Sequence, residues 1–105
     1  MAKDSIIDYL VEHVASKVEA KLRAKVATAL QRGPVSETAL HRLAQHLVND
    51  AFDLVRAGFL AAPSVDLRTA SAVLELAHSR ASNVMRLRAS AVLGSAIDDW
   101  RARTP

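Results

Sequence analysis

Apolar residues recur every three or four positions along nearly the whole chain, and only six Gly and Pro residues interrupt them. That spacing places them on one face of a helix with 3.6 residues per turn. Gly33-Pro34 and Pro63 divide the pattern into three stretches, and Pro105 closes the sequence. Each stretch is rich in Ala, Leu, Val, Arg, Glu and Lys, residues that suit helix interiors. The expected fold class is all-α, with three or four long helices.

The first helix is predicted over about residues 4–31, ended by Gly33-Pro34. Its apolar stripe is Ile7, Val11, Val14, Val18, Leu22, Val26 and Ala29. The second is predicted over 36–61. Ser36 is a suitable N-cap, Glu37 complements the helix dipole, and Val35 can staple onto Leu40. Leu40, Leu43, Ala44, Leu47, Val48, Ala51, Leu54 and Val55 form its stripe, and Phe52 and Phe59 widen it to about half the circumference. Such a width exceeds what one neighbour covers.

The third stretch starts near Ser64 or Asp66, both plausible caps. Leu67, Ala70, Val73, Leu74, Ala77, Ala81 and Val84 share a face. The pattern loosens over Ser79-Arg80-Ala81-Ser82-Asn83, where small polar residues can compete for backbone hydrogen bonds. Leu87, Ala91, Val92, Ile97 and Trp100 then read as a rotated register. Two helices, about 67–80 and 83–102, are expected, with one long bent helix as the alternative.

With 105 residues, the chain is expected to form a single domain. Half of its residues are hydrophobic, but 20 are alanine and four are aromatic. Alanine favours helix and buries little area. A homodimer, intertwined or side by side, is therefore expected to complete the core, through Leu40, Leu43, Leu47, Val48, Phe52, Leu54, Val55 and Phe59. There is no cysteine, so disulfide and thiolate chemistry are excluded. The charged start Met1-Ala2-Lys3-Asp4 does not suit a signal peptide, and no apolar run approaches the ~20 residues of a membrane span. A soluble, cytoplasmic protein without a membrane role is the expectation.

Net charge is +3, unevenly spread. Residues 1–33 and 63–105 each carry six Lys/Arg against four Asp/Glu, whereas 34–62 carry two against three. On the first helix Lys17, Lys21, Lys25 and Arg32 fall within about 80° of one another, with Asp8, Glu12 and Glu19 mostly elsewhere. The row reads either as a solvated edge of the core or as a surface for a polyanion. A second group of arginines, Arg80, Arg86, Arg88, Arg101 and Arg103, follows toward the C-terminus.

Catalytic chemistry is not spelled out. His46 and Asp50 stand one turn apart with Asp53 beyond, too few converging ligands for zinc. His13, His41 and His78 have no partner spacing. No Gly-rich elbow precedes a serine, the three glycines are far apart, and the adjacent carboxylates Asp98-Asp99 look like a solvated helix end. A non-enzymatic protein with no cofactor and no metal is expected.

One segment resembles a known family. Val35-Ser36-Glu37-Thr38-Ala39, followed by Leu43-Ala44, Leu47 and Asp53-Leu54, is similar to the central helix of archaeal-type histones. Arg68-Thr69 stands where that family closes its second loop, Ala70 to His78 resembles the short third helix, and Lys25-Val26 and Arg32 match its short first helix and first loop. The resemblance covers about residues 22–80. It departs at Pro34, where the family carries Arg, and at Pro63, Val65 and Leu67 in the second loop. It implies a handshake dimer that grips DNA phosphates through paired loops and helix N-termini, with Lys25, Arg32, Arg68 and Thr69 as contacts. Combined with the lysine row, this gives an expected function: a dimeric basic helical protein that binds double-stranded DNA mainly through phosphates, by Lys17, Lys21, Lys25, Arg32, Arg68 and Thr69. The alternative is a helical adaptor or assembly module with a protein partner and no nucleic-acid role.

Overall fold

A computed structural model describes residues 2–61 and 66–103, with side chains over 6–58, 66 and 68–103. Among these residues the protein is all-helical: α1 spans Ala2–Arg32, α2 Glu37–Ala61 and α3 Leu67–Arg103. At 1.5 Å per residue α1 is about 46 Å long and α3 about 55 Å. The molecule is correspondingly a rod of 57 × 25 × 20 Å. Its radius of gyration, 16.1 Å, exceeds the roughly 13 Å of a compact chain this long.

The end of α1 and the starts of α2 and α3 each have a visible cause. Gly33 holds φ at +156°, a conformation costly for any residue with a Cβ, and its N–H donates to the Ala29 carbonyl at 3.2 Å. Pro34 then prevents continuation. Ser36 caps α2: its Oγ accepts from the Ala39 N–H at 3.1 Å. Asp66 caps α3, accepting from the Arg68 N–H at 3.1 Å and from the Thr69 hydroxyl at 2.9 Å. Ser64, the other candidate cap, lies outside the described residues, as does Pro63.

The helices run up, down, up. Arg80 pairs with Asp8 and Arg23 reaches Ser95, so chain numbers rise together along α1 and α3, which are parallel. Gln45 bonds Ser82 whereas His78 lies beside Asn49 and Phe52, so α2 runs against α3. The α1–α3 interface is the most extensive of the three.

The third stretch is one helix, not two. Within Ser79–Asn83 two polar residues make contacts between helices: Arg80 pairs with Asp8 at 3.6 Å, and Ser82 accepts from Gln45 Nε2 at 3.1 Å. Nor does the register jump. Ala77, Ala81, Met85, Ala89 and Leu93 are all buried at strict spacing four. Each such step advances the stripe by about 40° around a helix of 3.6 residues per turn. A slow drift of this kind imitates a break. Leu87, expected on the apolar face, is 79% exposed, and Ala91 is exposed too.

A single chain encloses the core. Ile7, Val14, Val18, Leu22 and Val26 of α1 meet Leu40, Val48 and Phe52 of α2 and Val73, Leu74, Met85 and Val92 of α3. Each buried Leu, Met or Val contributes about 1.5–3 kcal/mol. The abundant alanines do not leave this core thin. Ala15, Ala77, Ala81 and Ala89 have no accessible surface, and their small side chains let neighbouring backbones approach until the larger residues touch. No polar or charged side chain is buried among the described residues.

This core absorbs much of the face expected to pair two chains. Leu40, Leu47, Val48 and Phe52 are buried within the chain, and Leu43 and Val55 are half-buried. Leu54 alone among the described members stands out, at 72% exposure. The Phe59 side chain lies outside the described residues.

Candidate functional site

The three-helix packing sorts the charges of α1 onto two sides. Asp8, Glu12 and Glu19 turn toward α3, where Arg80 meets Asp8 at 3.6 Å and Arg88 meets Glu12 at 3.3 Å and Glu19 at 3.9 Å. Arg23 joins that side through Glu19 at 3.5 Å and the Ser95 hydroxyl at 3.4 Å. Every ion pair among the described residues lies along this seam. Two of the five C-terminal arginines, Arg80 and Arg88, are thereby committed to holding α1 and α3 together.

Lys17, Lys21, Lys25 and Arg32 occupy the remaining side of α1. All four are exposed, and none has an acidic partner within 4 Å among the described residues. Lysines four residues apart are separated by about 6 Å along the axis, and the row from Lys17 to Arg32 spans about 22 Å. Lys17 and Lys21, with His13, edge a groove whose other wall is Leu47, Ala51, Leu54 and Val55 of α2. Arg32 edges a second groove beside Pro34, Val35, Ala39 and Leu43, at the turn into α2.

Arg68 and Thr69 do not belong to this row. They sit in the first turn of α3, exposed, with the Thr69 hydroxyl already given to Asp66. Because α1 and α3 are parallel with Asp8 beside Arg80, Arg68 and Arg32 lie at opposite ends of the rod, about 50 Å apart at 1.5 Å per residue. The segment that resembles the central histone helix is the shortest of the three helices, and Ala70–His78 is the opening part of the 37-residue α3.

The histidines are spent on packing or left in solvent. His78 is half-buried; its Nε2 donates to Asn49 Oδ1 at 2.7 Å and its ring tilts against Phe52 at 5.1 Å. His13 stacks on Tyr9 at 5.6 Å. His46, Asp50 and Asp53 are exposed, and no three His, Asp or Glu side chains converge among the described residues. No helix of the described residues is long and apolar enough to cross a membrane.

Sequence reasoning missed one feature. Ala96, Asp99, Trp100 and Arg103 of α3 face Arg23, Ala27, Leu30 and Gln31 of α1 across a cleft of about 300 Å³. Its signal was present as two i, i+4, i+7 sets, Arg23-Ala27-Leu30 and Ala96-Trp100-Arg103. Reading them together required knowing that α1 and α3 are parallel.

Comparison with protein-family models, with curated proteins and with solved structures finds no match to this chain.

Proposed function

We propose that this protein is a non-catalytic, three-helix binding protein that engages double-stranded DNA through backbone phosphates, with Lys17, Lys21, Lys25 and Arg32 as the contact row. The observation that carries this reading is the sorting of charge on α1: Asp8, Glu12 and Glu19 are turned to the α3 arginines, leaving four exposed cations in line with no acid within 4 Å among the described residues. Such a row contacts phosphates without reading bases. Arg68 and Thr69, at the far end of the rod, are a separate contact if they take part.

The test is fluorescence anisotropy of a labelled random-sequence duplex, titrated at several salt concentrations. Three or four phosphate contacts give a log K against log salt slope of about −3 to −4, at roughly −0.9 per contact. The Lys17→Gln, Lys21→Gln, Lys25→Gln triple variant should flatten that slope by between 2 and 3, on the same scale. Unchanged affinity and slope in the triple variant would overturn the assignment.

A second reading, docking of a protein or a second copy of this chain, draws on one observation. Leu54 is 72% exposed in the groove beside Lys17 and Lys21. Leu54→Glu would remove such an association, read by sedimentation velocity, while leaving duplex binding nearly unchanged.

A further inference from the structure

The face of the rod where α1 and α2 run side by side carries charges of both signs. Lys17 and Lys21 edge the groove between the two helices. On its other wall, Asp50 and Asp53 immediately precede Ala51 and Leu54, so they stand at nearly the same height along the rod as the lysines. All four are exposed, and none has an oppositely charged side chain within 4 Å among the described residues. Apolar surface lies among these charges. At 100° per residue Leu47, Asp50 and Leu54 fall within about 60° of one another, which puts Asp50 beside the exposed Leu54 on the groove side of α2. Ile6 and Tyr9, also exposed, lie within about 80° of Lys17 on α1.

The occupant this face fits is its own copy. A two-fold axis parallel to the helices lays α1 of one copy over α2 of the other and leaves heights along the rod unchanged. Lys17 and Lys21 of each copy then come level with Asp50 and Asp53 of the other, as a self-complementary interface requires. Leu54 of each copy enters the groove of the other. An axis across the helices would instead stack α1 on α1 and lysine on lysine, which like-charge repulsion disfavours. Duplex phosphates answer the lysines but neither the aspartates nor Leu54.

We infer that a second copy of this chain docks on the α1–α2 face, Leu54 in the groove and Lys17 and Lys21 against Asp50 and Asp53. This specifies the docking reading above and rests on it. Leu40, Val48 and Phe52 are already buried within the chain, so the contact belongs with transient interfaces below about 1,200 Å². It is expected to part on heating before the chain unfolds. Pairing covers Lys17 and Lys21, and therefore competes with duplex phosphates for them.

Sedimentation velocity of the full-length protein, from micromolar to submillimolar concentration, tests this. A monomer–dimer equilibrium that weakens with salt is expected. Two variants split the contact: Lys17→Glu with Lys21→Glu, and Asp50→Lys with Asp53→Lys. Each alone should raise the dissociation constant about tenfold or more through like-charge contacts. Their equimolar mixture should recover the dimer, because each variant supplies the charge that the other lacks. Circular dichroism checks that both keep their helices. Duplex anisotropy at dilute, monomeric protein separates the readings, since the Asp50/Asp53 variant retains the lysine row. Duplex binding absent from that variant and the parent alike sinks the phosphate-row reading and leaves the dimer standing. A parent that stays monomeric at submillimolar concentration, or a mixture that does, overturns the dimer. A dimer that both variants keep and Leu54→Glu removes overturns this pairing of charges while the docking reading survives.

Discussion

Ala81 has no accessible surface and lies one turn from both Ala77 and Met85, which are equally covered. A methyl group is all that the closeness of the helices there permits. Ala81→Leu would force α3 away from its neighbours, at a cost of about 1–3 kcal/mol from overpacking. Leu22, fully buried on α1, makes the opposite point: Leu22→Ala opens a void and should cost about 2–5 kcal/mol. Leu54→Ala, at a site 72% exposed, should stay within about 0.5 kcal/mol. Urea denaturation of the three variants checks the order, and a large loss at Leu54 would mean that its face is covered in solution. Most core positions of α1 were legible from spacing alone. Leu54 was not, because three-four spacing marks a stripe without saying which edge a neighbouring helix covers.

Helix termini were the most readable elements, since their chemistry is local. Ser36 and Asp66 each satisfy N–H groups that would otherwise point into solvent unpaired. Ser36→Ala should therefore lower stability by about 1 kcal/mol, and Asp66→Ala by a similar amount. Thermal unfolding followed by circular dichroism measures both, and loss in only one would show that the two α2-flanking connections are unequal in weight. The interior of α3 was harder to read. Ser79, Ser82 and Asn83 look like breakers when only the local sequence is considered, yet Ser82 answers Gln45 and Arg80 answers Asp8. A polar residue in mid-helix acquires its meaning from the partner helix, which lies more than thirty residues away in sequence. The resemblance of 22–80 to histones rests largely on cap and stripe positions, and any amphipathic helix fills these with Ser, Leu and Ala.

At the scale of the molecule, what matters is that one chain closes its own core. Had the apolar faces of three alanine-rich helices needed a second chain to cover them, folding would depend on protein concentration. Here Leu40, Val48, Phe52 and Met85 are covered by the chain itself, which is what a fold independent of pairing requires. The melting temperature should accordingly stay nearly constant across a hundredfold range of concentration, where an obligate dimer would gain several degrees. The charge seam between α1 and α3 behaves differently from the core. Arg88, with its two acidic partners, keeps 34% of its side-chain surface exposed, and pairs of that kind contribute at most about 1 kcal/mol. Their acids need no arginine to stay clear of the lysine row: at 100° per residue Glu12 and Glu19 lie on the opposite side of α1 from Lys17, Lys21 and Lys25. Arg88→Gln would thus cost little stability, within about 1 kcal/mol, and leave the row itself untouched. The expected signature is a melting temperature almost unmoved with a duplex affinity close to the parent's. A melting temperature lowered by many degrees would show the seam to be a larger stabilising device than surface pairs usually are, and a strongly lowered duplex affinity would place contacts on the α3 side of α1 instead of on the lysine row.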